Sequence, residues 1–109
     1  MSLYLGSLQK AVTLAGTAEA LSASELLVKR AVIKATAGNT GNIYVGGSGV
    51  DSSNGFVLDG GEELVLDGVS VDGSDQYWDL SNIYIDAGTN ADSVSVVYSL
   101  EDGANPVAF

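Results

Sequence analysis

KRAVIKATAGNTGNIYVGGSG, residues 29–49, is the stretch whose reading decides the fold. Within it Ala31, Ile33, Ala35 and Ala37 fall on one face of an extended chain, with Arg30, Lys34 and Thr36 among those on the other. A period of two marks a half-buried strand. Gly38, Asn39, Thr40 and Gly41 follow, residue types that tolerate positive φ and let a chain reverse. Ile43, Tyr44 and Val45 resume the alternation, and Gly46-Gly47-Ser48-Gly49 ends it. Strand, turn and strand in this order predict a β-hairpin as the nucleus.

The phrase returns further on. Asn42-Ile43-Tyr44-Val45-Gly46 is echoed by Asn82-Ile83-Tyr84-Ile85-Asp86. In both copies the β-branched pair is expected to face the core, with the Tyr opposite, so the two strands should play equivalent roles. A single five-residue echo is too short to define a duplicated repeat.

Outward from this stretch the same grammar continues. Phe56-Val57-Leu58 and Glu63-Leu64-Val65-Leu66 read as short strands around a turn at Asp59-Gly60-Gly61-Glu62. Residues 93–100 alternate most cleanly, with Val94, Val96, Tyr98 and Leu100 on one face and Ser93, Ser95 and Ser99 on the other. Residues 11–14 are short and β-like before Gly16. Residues 17–27 contain Ala-Glu-Ala-Leu, which has helical propensity, but Ser and Thr interrupt it. The longest irregular connection is 67–81. No helical period is sustained anywhere. With Gly at 14 positions and turn signals throughout, the expectation is an all-β fold: an antiparallel β-sandwich or small jelly-roll-like barrel of about seven to eight short strands.

The chain has 109 residues, which bounds it to one domain burying roughly two thirds of its extended-chain surface. The expected division is an N-terminal arm or edge strand over 1–10 and a single β-sandwich domain over 11–109. Cysteine is absent, so no disulfide or thiolate metal site contributes. The longest apolar runs fall far short of the roughly 20 residues that cross a bilayer, so no membrane association is expected. Met1-Ser2-Leu3-Tyr4-Leu5 places no basic segment before an apolar one, and no signal peptide is expected.

Charge divides the chain. Residues 1–35 hold all four bases (Lys10, Lys29, Arg30, Lys34) against Glu19 and Glu25, for +2; residues 36–109 hold the other twelve acids and no base, which brings the net charge to −10. Such a chain repels phosphate backbones, and no basic stripe with interleaved aromatics offsets that, so no nucleic-acid partner is expected. The acids read as a solvated surface.

No constellation for catalysis emerges. The sequence has no His and no Cys, which excludes Ser-His-Asp and Cys-His devices and His-based zinc sites. Paired carboxylates serve glycosidases, but Asp51, Asp59, Asp67, Asp72 and Asp75 sit in turns beside Gly or Ser, with no sign of a cleft. Gly46-Gly47-Ser48-Gly49-Val50-Asp51 matches the opening of the calcium-binding nonapeptide, yet Ser53 stands where that motif needs an apolar residue, and consecutive copies are missing. Asp86 to Asp92 lacks EF-hand spacing and reads as a hairpin loop. The expectation is a non-enzyme with no metal and no cofactor.

Candidate partner-binding residues fall in two places. Leu3, Tyr4, Leu5 and Leu8 give the first residues more apolar surface than a terminus usually carries, suited to packing on another subunit. Tyr77 and the sole tryptophan, Trp78, lie in the long connection, where aromatics anchor interfaces or cap an open end of a sandwich.

From about Val12 to Leu100 the chain resembles a small domain common among bacteriophage virion structural proteins. The matching phrases are Val12-Thr13-Leu14-Ala15-Gly16-Thr17-Ala18, Val32-Ile33-Lys34-Ala35, and Asn39-Thr40-Gly41-Asn42-Ile43-Tyr44-Val45-Gly46. Gly55-Phe56-Val57-Leu58 leading to Gly61-Glu62, and Leu80-Ser81-Asn82-Ile83-Tyr84-Ile85-Asp86-Ala87, continue them. Such domains occur in head decoration and head-fibre proteins and in some tail-associated proteins, and they bring no catalytic residues to transfer. The resemblance implies a capsid decoration or cement protein, a homo-oligomer on the outer head surface of the virion, assembled in the host cytoplasm and bridging major capsid protein subunits or other virion proteins. Its alternatives are a tail or fibre component contacting host surface glycans through Tyr77 and Trp78, or a carbohydrate-binding module.

Overall fold

Alternation becomes burial in the computed structural model, which describes residues 3–67, 70–71, 74–75 and 77–101. In strand β4 (Arg30–Ala35), Ala31, Ile33 and Ala35 are fully buried while Arg30 and Lys34 are exposed. Strand β12 (Ser93–Glu101) buries Val94, Val96 and Leu100. Strands β5 (Ile43–Gly46) and β11 (Tyr84–Ala87) bury Ile43, Val45 and Ile85. The remaining strands of three or more residues are β1 (Leu3–Ala11), β6 (Phe56–Leu58) and β7 (Glu63–Asp67). Short pieces complete the chain: β2 (Glu19–Ala20), β3 (Leu27–Val28), β8 (Ser70–Val71), β9 (Ser74–Asp75), β10 (Trp78–Asp79) and a 3₁₀ turn at Leu80–Asn82.

Two four-stranded antiparallel sheets carry the fold, ordered β1-β12-β4-β7 and β2-β11-β5-β6. The connectivity is that of one long hairpin rolled on itself. Its legs pair β1 with β12, β2 with β11, β4 with β7 and β5 with β6; rolling adds β12 to β4 and β11 to β5. This is jelly-roll strand order in an all-β sandwich. Period two decides which face of each strand turns inward, and the inner faces meet in one core: Val12, Val28, Ile33, Ile43, Leu58, Leu80, Ile85, Val94 and Val96 are essentially inaccessible. Each such side chain contributes about 1.5–3 kcal/mol, enough in sum to hold a cysteine-free domain.

The expected hairpin over 29–49 does not form. β4 and β5 lie in different sheets, and residues 36–42 carry the chain from one to the other. Alternation says which side chains are buried, and both strands bury theirs, but it does not distinguish two faces of one sheet from the facing sides of two. The crossing is fixed by long-range bonds. The carboxylate of Asp92 accepts from Thr40 N–H (3.0 Å) and Gly41 N–H (2.7 Å), and Asn39 donates Nδ2 to the Ser93 carbonyl at 2.8 Å. β6 and β7, on either side of the 59–62 turn, also belong to different sheets.

The echoed strands β5 and β11 are immediate neighbours at the centre of the second sheet, with Ile85 opposite Val45 and Tyr84 and Tyr44 half-buried. Residues 17–27 form no helix; β2 and the start of β3 lie there. Residues 11–14 make no strand of their own, since Ala11 ends β1 and Val12 enters the core. The connection 67–81 contains β8, β9, β10 and the start of the 3₁₀ turn; Asp72 lies outside the described residues.

Candidate partner-binding surface

Strand β1 forms one edge of the first sheet, in unbroken register with β12 from Leu3↔Glu101 to Ala11↔Ser93. Its inner phase is Tyr4, Gly6, Leu8 and Lys10, opposite Leu100, Tyr98, Val96 and Val94. Leu8 therefore packs against the chain's own core. Gly6 leaves the slot in which the Tyr98 ring lies: a Cβ there would run into ring carbon Cε2. Tyr4 is at the end of the strand and partly exposed. The outer phase is Leu3, Leu5, Ser7, Gln9 and Ala11, where Leu3 is 60% and Leu5 74% exposed.

The ladder registers extend this apolar surface across the sheet. Val97 of β12 faces Val32 of β4, which faces Val65 of β7, so three valines at the solvent phase of three strands form one row. Val97 and Val65 are exposed and Val32 is half-buried. Leu5 is diagonal to Val97, within reach of a same-face neighbour. A shallow depression of about 100 Å³ lies among Leu5, Arg30, Val32, Val97 and Ser99. The charges bordering the row cancel locally, because Arg30 Nε donates to Asp67 Oδ1 at 2.7 Å. Both partners are well exposed, so the pair adds little stability.

Val32, Val65 and Val97 were not legible as a site, although each interrupts a polar phase. Ser93, Ser95 and Ser99 surround Val97, and Arg30 and Lys34 flank Val32. Their alignment depends on inter-strand register, which the sequence of one strand does not carry.

Tyr77 and Trp78 lie elsewhere. β10 pairs with β3, with Trp78 opposite Val28, and Trp78 Nε1 donates to the Asp67 carbonyl at 2.9 Å. The Lys29 ammonium sits 5.2 Å from the Tyr77 ring centre. Trp78 borders a groove of about 300 Å³ between the sheets, lined by Val45, Gly46, Leu64, Leu66, Asn82 and Ile83. Since β7 and β1 are opposite edges of one sheet, three ladder steps of about 4.8 Å separate them. The six candidate residues thus divide among a core position (Leu8), the β1 edge (Leu3, Tyr4, Leu5) and the groove (Tyr77, Trp78).

The acids hold backbone. Asp86 and Asp92 are buried, the former accepting from Gly16 N–H (2.9 Å) and Ala87 N–H (2.8 Å). The segment read as an ordinary hairpin loop therefore ties two others, 12–17 and 36–42. Glu19 takes the Lys10 ammonium at 2.8 Å and Thr13 N–H at 2.7 Å; the Lys10 bond holds its carboxyl below the usual range despite some burial. Burial pulls Asp79 upward, but bonds from Ser81 Oγ, Ser81 N–H and Leu26 N–H outweigh it and leave the carboxyl lowered. Asp51 is lowered by the Ser53 hydroxyl and N–H within its own turn. No group of three or more acids is placed to hold a metal ion among the described residues. No family model, curated protein or solved structure matches the chain.

Proposed function

We propose that this is a non-catalytic virion structural protein, a decoration subunit that binds the outer surface of a bacteriophage capsid and stabilises the shell by contact. The observation that carries the reading is the exposed apolar surface of the first sheet: Leu3 and Leu5 on an open nine-residue edge, continuous with the row Val97, Val32, Val65. Apolar surface rimmed by polar groups, here serines and paired charges such as Arg30–Asp67, is what a binding face requires. The jelly-roll order supports it by analogy, since that architecture is frequent in capsid proteins. The resemblance of residues 12–100 to virion domains points the same way. A passive role also agrees with the acids, because Glu19, Asp51, Asp79, Asp86 and Asp92 are each committed to hydrogen bonds within the chain.

Sedimentation of intact virions of the encoding phage, followed by gold labelling with an antibody to this chain, tests the reading. The expected result is co-sedimentation with label on heads. Protein that stays in the supernatant overturns it. Label on tails instead selects a second reading, a tail or fibre component binding glycans, which Trp78 beside Asn82 at the groove favours.

A further inference from the structure

Among the described residues the two four-stranded sheets have four edge strands: β1 and β7 in the first, β2 and β6 in the second. An open edge attracts other strands, and proteins blunt edges by shortness, charge or proline. Three of these four are blunted. β2 has two residues and β6 three, while β7 carries Glu63 and Asp67 at its ends and receives the Trp78 indole on the Asp67 carbonyl. β1 has none of these devices. It runs nine residues with no acid, no proline and no break in its register, and its one charge, Lys10, is taken by Glu19. Such a strand is roughly 30 Å long, and alternate residues along it turn N–H and C=O groups toward the open side.

Charge indicates what covers it. The chain carries −10, and a basic partner gains most on its acidic surfaces, not on a neutral strand. A partner of like charge, by contrast, can approach closely only where acids are absent. The outer phase of β1 offers Leu3, Leu5, Ser7, Gln9 and Ala11, and the adjoining strand sets Ser93, Ser95, Val97 and Ser99 against them, with an acid only at the far end, Glu101 opposite Leu3. The like-charged partner present at equal concentration is a second copy of this chain.

We propose that two copies pair β1 against β1, antiparallel about a two-fold axis through Ser7, joining their first sheets into one continuous sheet. In this register Leu3 faces Ala11 of the second copy, Leu5 faces its Gln9, and Lys10 faces its Tyr4, so no like charges are opposed. Two-fold closure is the commonest way a soluble protein self-associates. The proposal rests on the reading of the β1 edge as a docking surface and names its occupant.

Sedimentation equilibrium of the purified chain tests it, with circular dichroism as the check on folding. The expected result is a dimer. Leu5→Lys, at an exposed position, keeps the β spectrum and weakens the dimer roughly tenfold to a hundredfold. Because the chain has no cysteine, Ser7→Cys provides an independent variant: its oxidation yields a covalent dimer, whereas the exposed off-strand control Leu14→Cys does not. A chain that is monomeric up to roughly 1 mM overturns the proposal. So does a dimer indifferent to Leu5→Lys that leaves Ser7→Cys uncrosslinked, which places the contact elsewhere. Binding to capsids is scored separately. A monomer that binds particles through Leu5 overturns self-pairing and keeps the decoration reading, with a strand of the shell as occupant. A β1-linked dimer that ignores particles supports self-pairing and removes the decoration reading.

Discussion

The two poles of the sandwich are closed by different means. At one, residues 12–17, 36–42 and 88–92 are bound by side chains distant in sequence: Asp92 holds Thr40 and Gly41, Asp86 holds Gly16, and Asn90 Oδ1 accepts from Ala15 N–H at 2.7 Å. Asn39 both donates to the Ser93 carbonyl and accepts from Ser93 N–H. At the other pole Trp78 leans over an apolar groove. At the first pole backbone leaves one sheet for the other and keeps only scattered main-chain bonds, such as Val12 N–H to the Asp92 carbonyl, so carboxylates and amides supply the rest. The second pole leaves part of its apolar lining unfilled. Stability should therefore be concentrated at the first.

Substitution tests that difference most severely at Asp92. Asp92→Ala strips acceptors from two N–H groups and should cost about 3 kcal/mol or more in urea unfolding, with Asp92→Asn, which keeps one oxygen, losing less. Trp78→Ala, at the open pole, should cost only about 1.5 kcal/mol, since a good part of the ring is already in water. A larger loss at Trp78 than at Asp92 would reverse the ranking of the poles.

Acid sharpens the comparison further. Glu19 and Asp79 bind protons more weakly folded than unfolded, so the stability they contribute is whole above their ordinary values of 4.5 and 3.8 and drains as pH falls below them. Thermal unfolding should be flat from neutral pH down to about 5 and then fall. Glu19→Gln should shallow that fall by about 0.5 kcal/mol, as expected of a part-exposed ion pair. The smallest effect concerns calcium. With Asp51 bonded inside its turn and Asp86 and Asp92 occupied by backbone, a chelator should leave the melting temperature unchanged.

Burial phase was legible because it is local: the alternations through Ile33, Ile43, Ile85 and Val96 reappear as core. Pairing was not, because the turn residues Gly38 to Gly41 suit a hairpin and a sheet crossing equally well. What selects the crossing is Asp92, some fifty residues away along the chain. The same limit hid the candidate surface. Leu3 and Leu5 stand out in any reading as apolar residues near a terminus, whereas Val32, Val65 and Val97 acquire meaning only once three strands lie in register.

The pairing of β1 with β12 also sets an order of events. β1 is closed by a strand made much later on the ribosome, and Leu3, Leu5 and Leu8 find their sheet only after Ser93–Glu101 has emerged. Throughout synthesis the segment with the most exposed leucines has no ladder of its own. Closing the long loop between β1 and β12 makes this pairing among the most entropically demanding in the fold, and topologies dominated by such contacts fold in milliseconds to seconds, not microseconds. For that interval the nascent β1 is a sticky strand without a mate, and chaperones or neighbouring nascent copies are the first surfaces it meets.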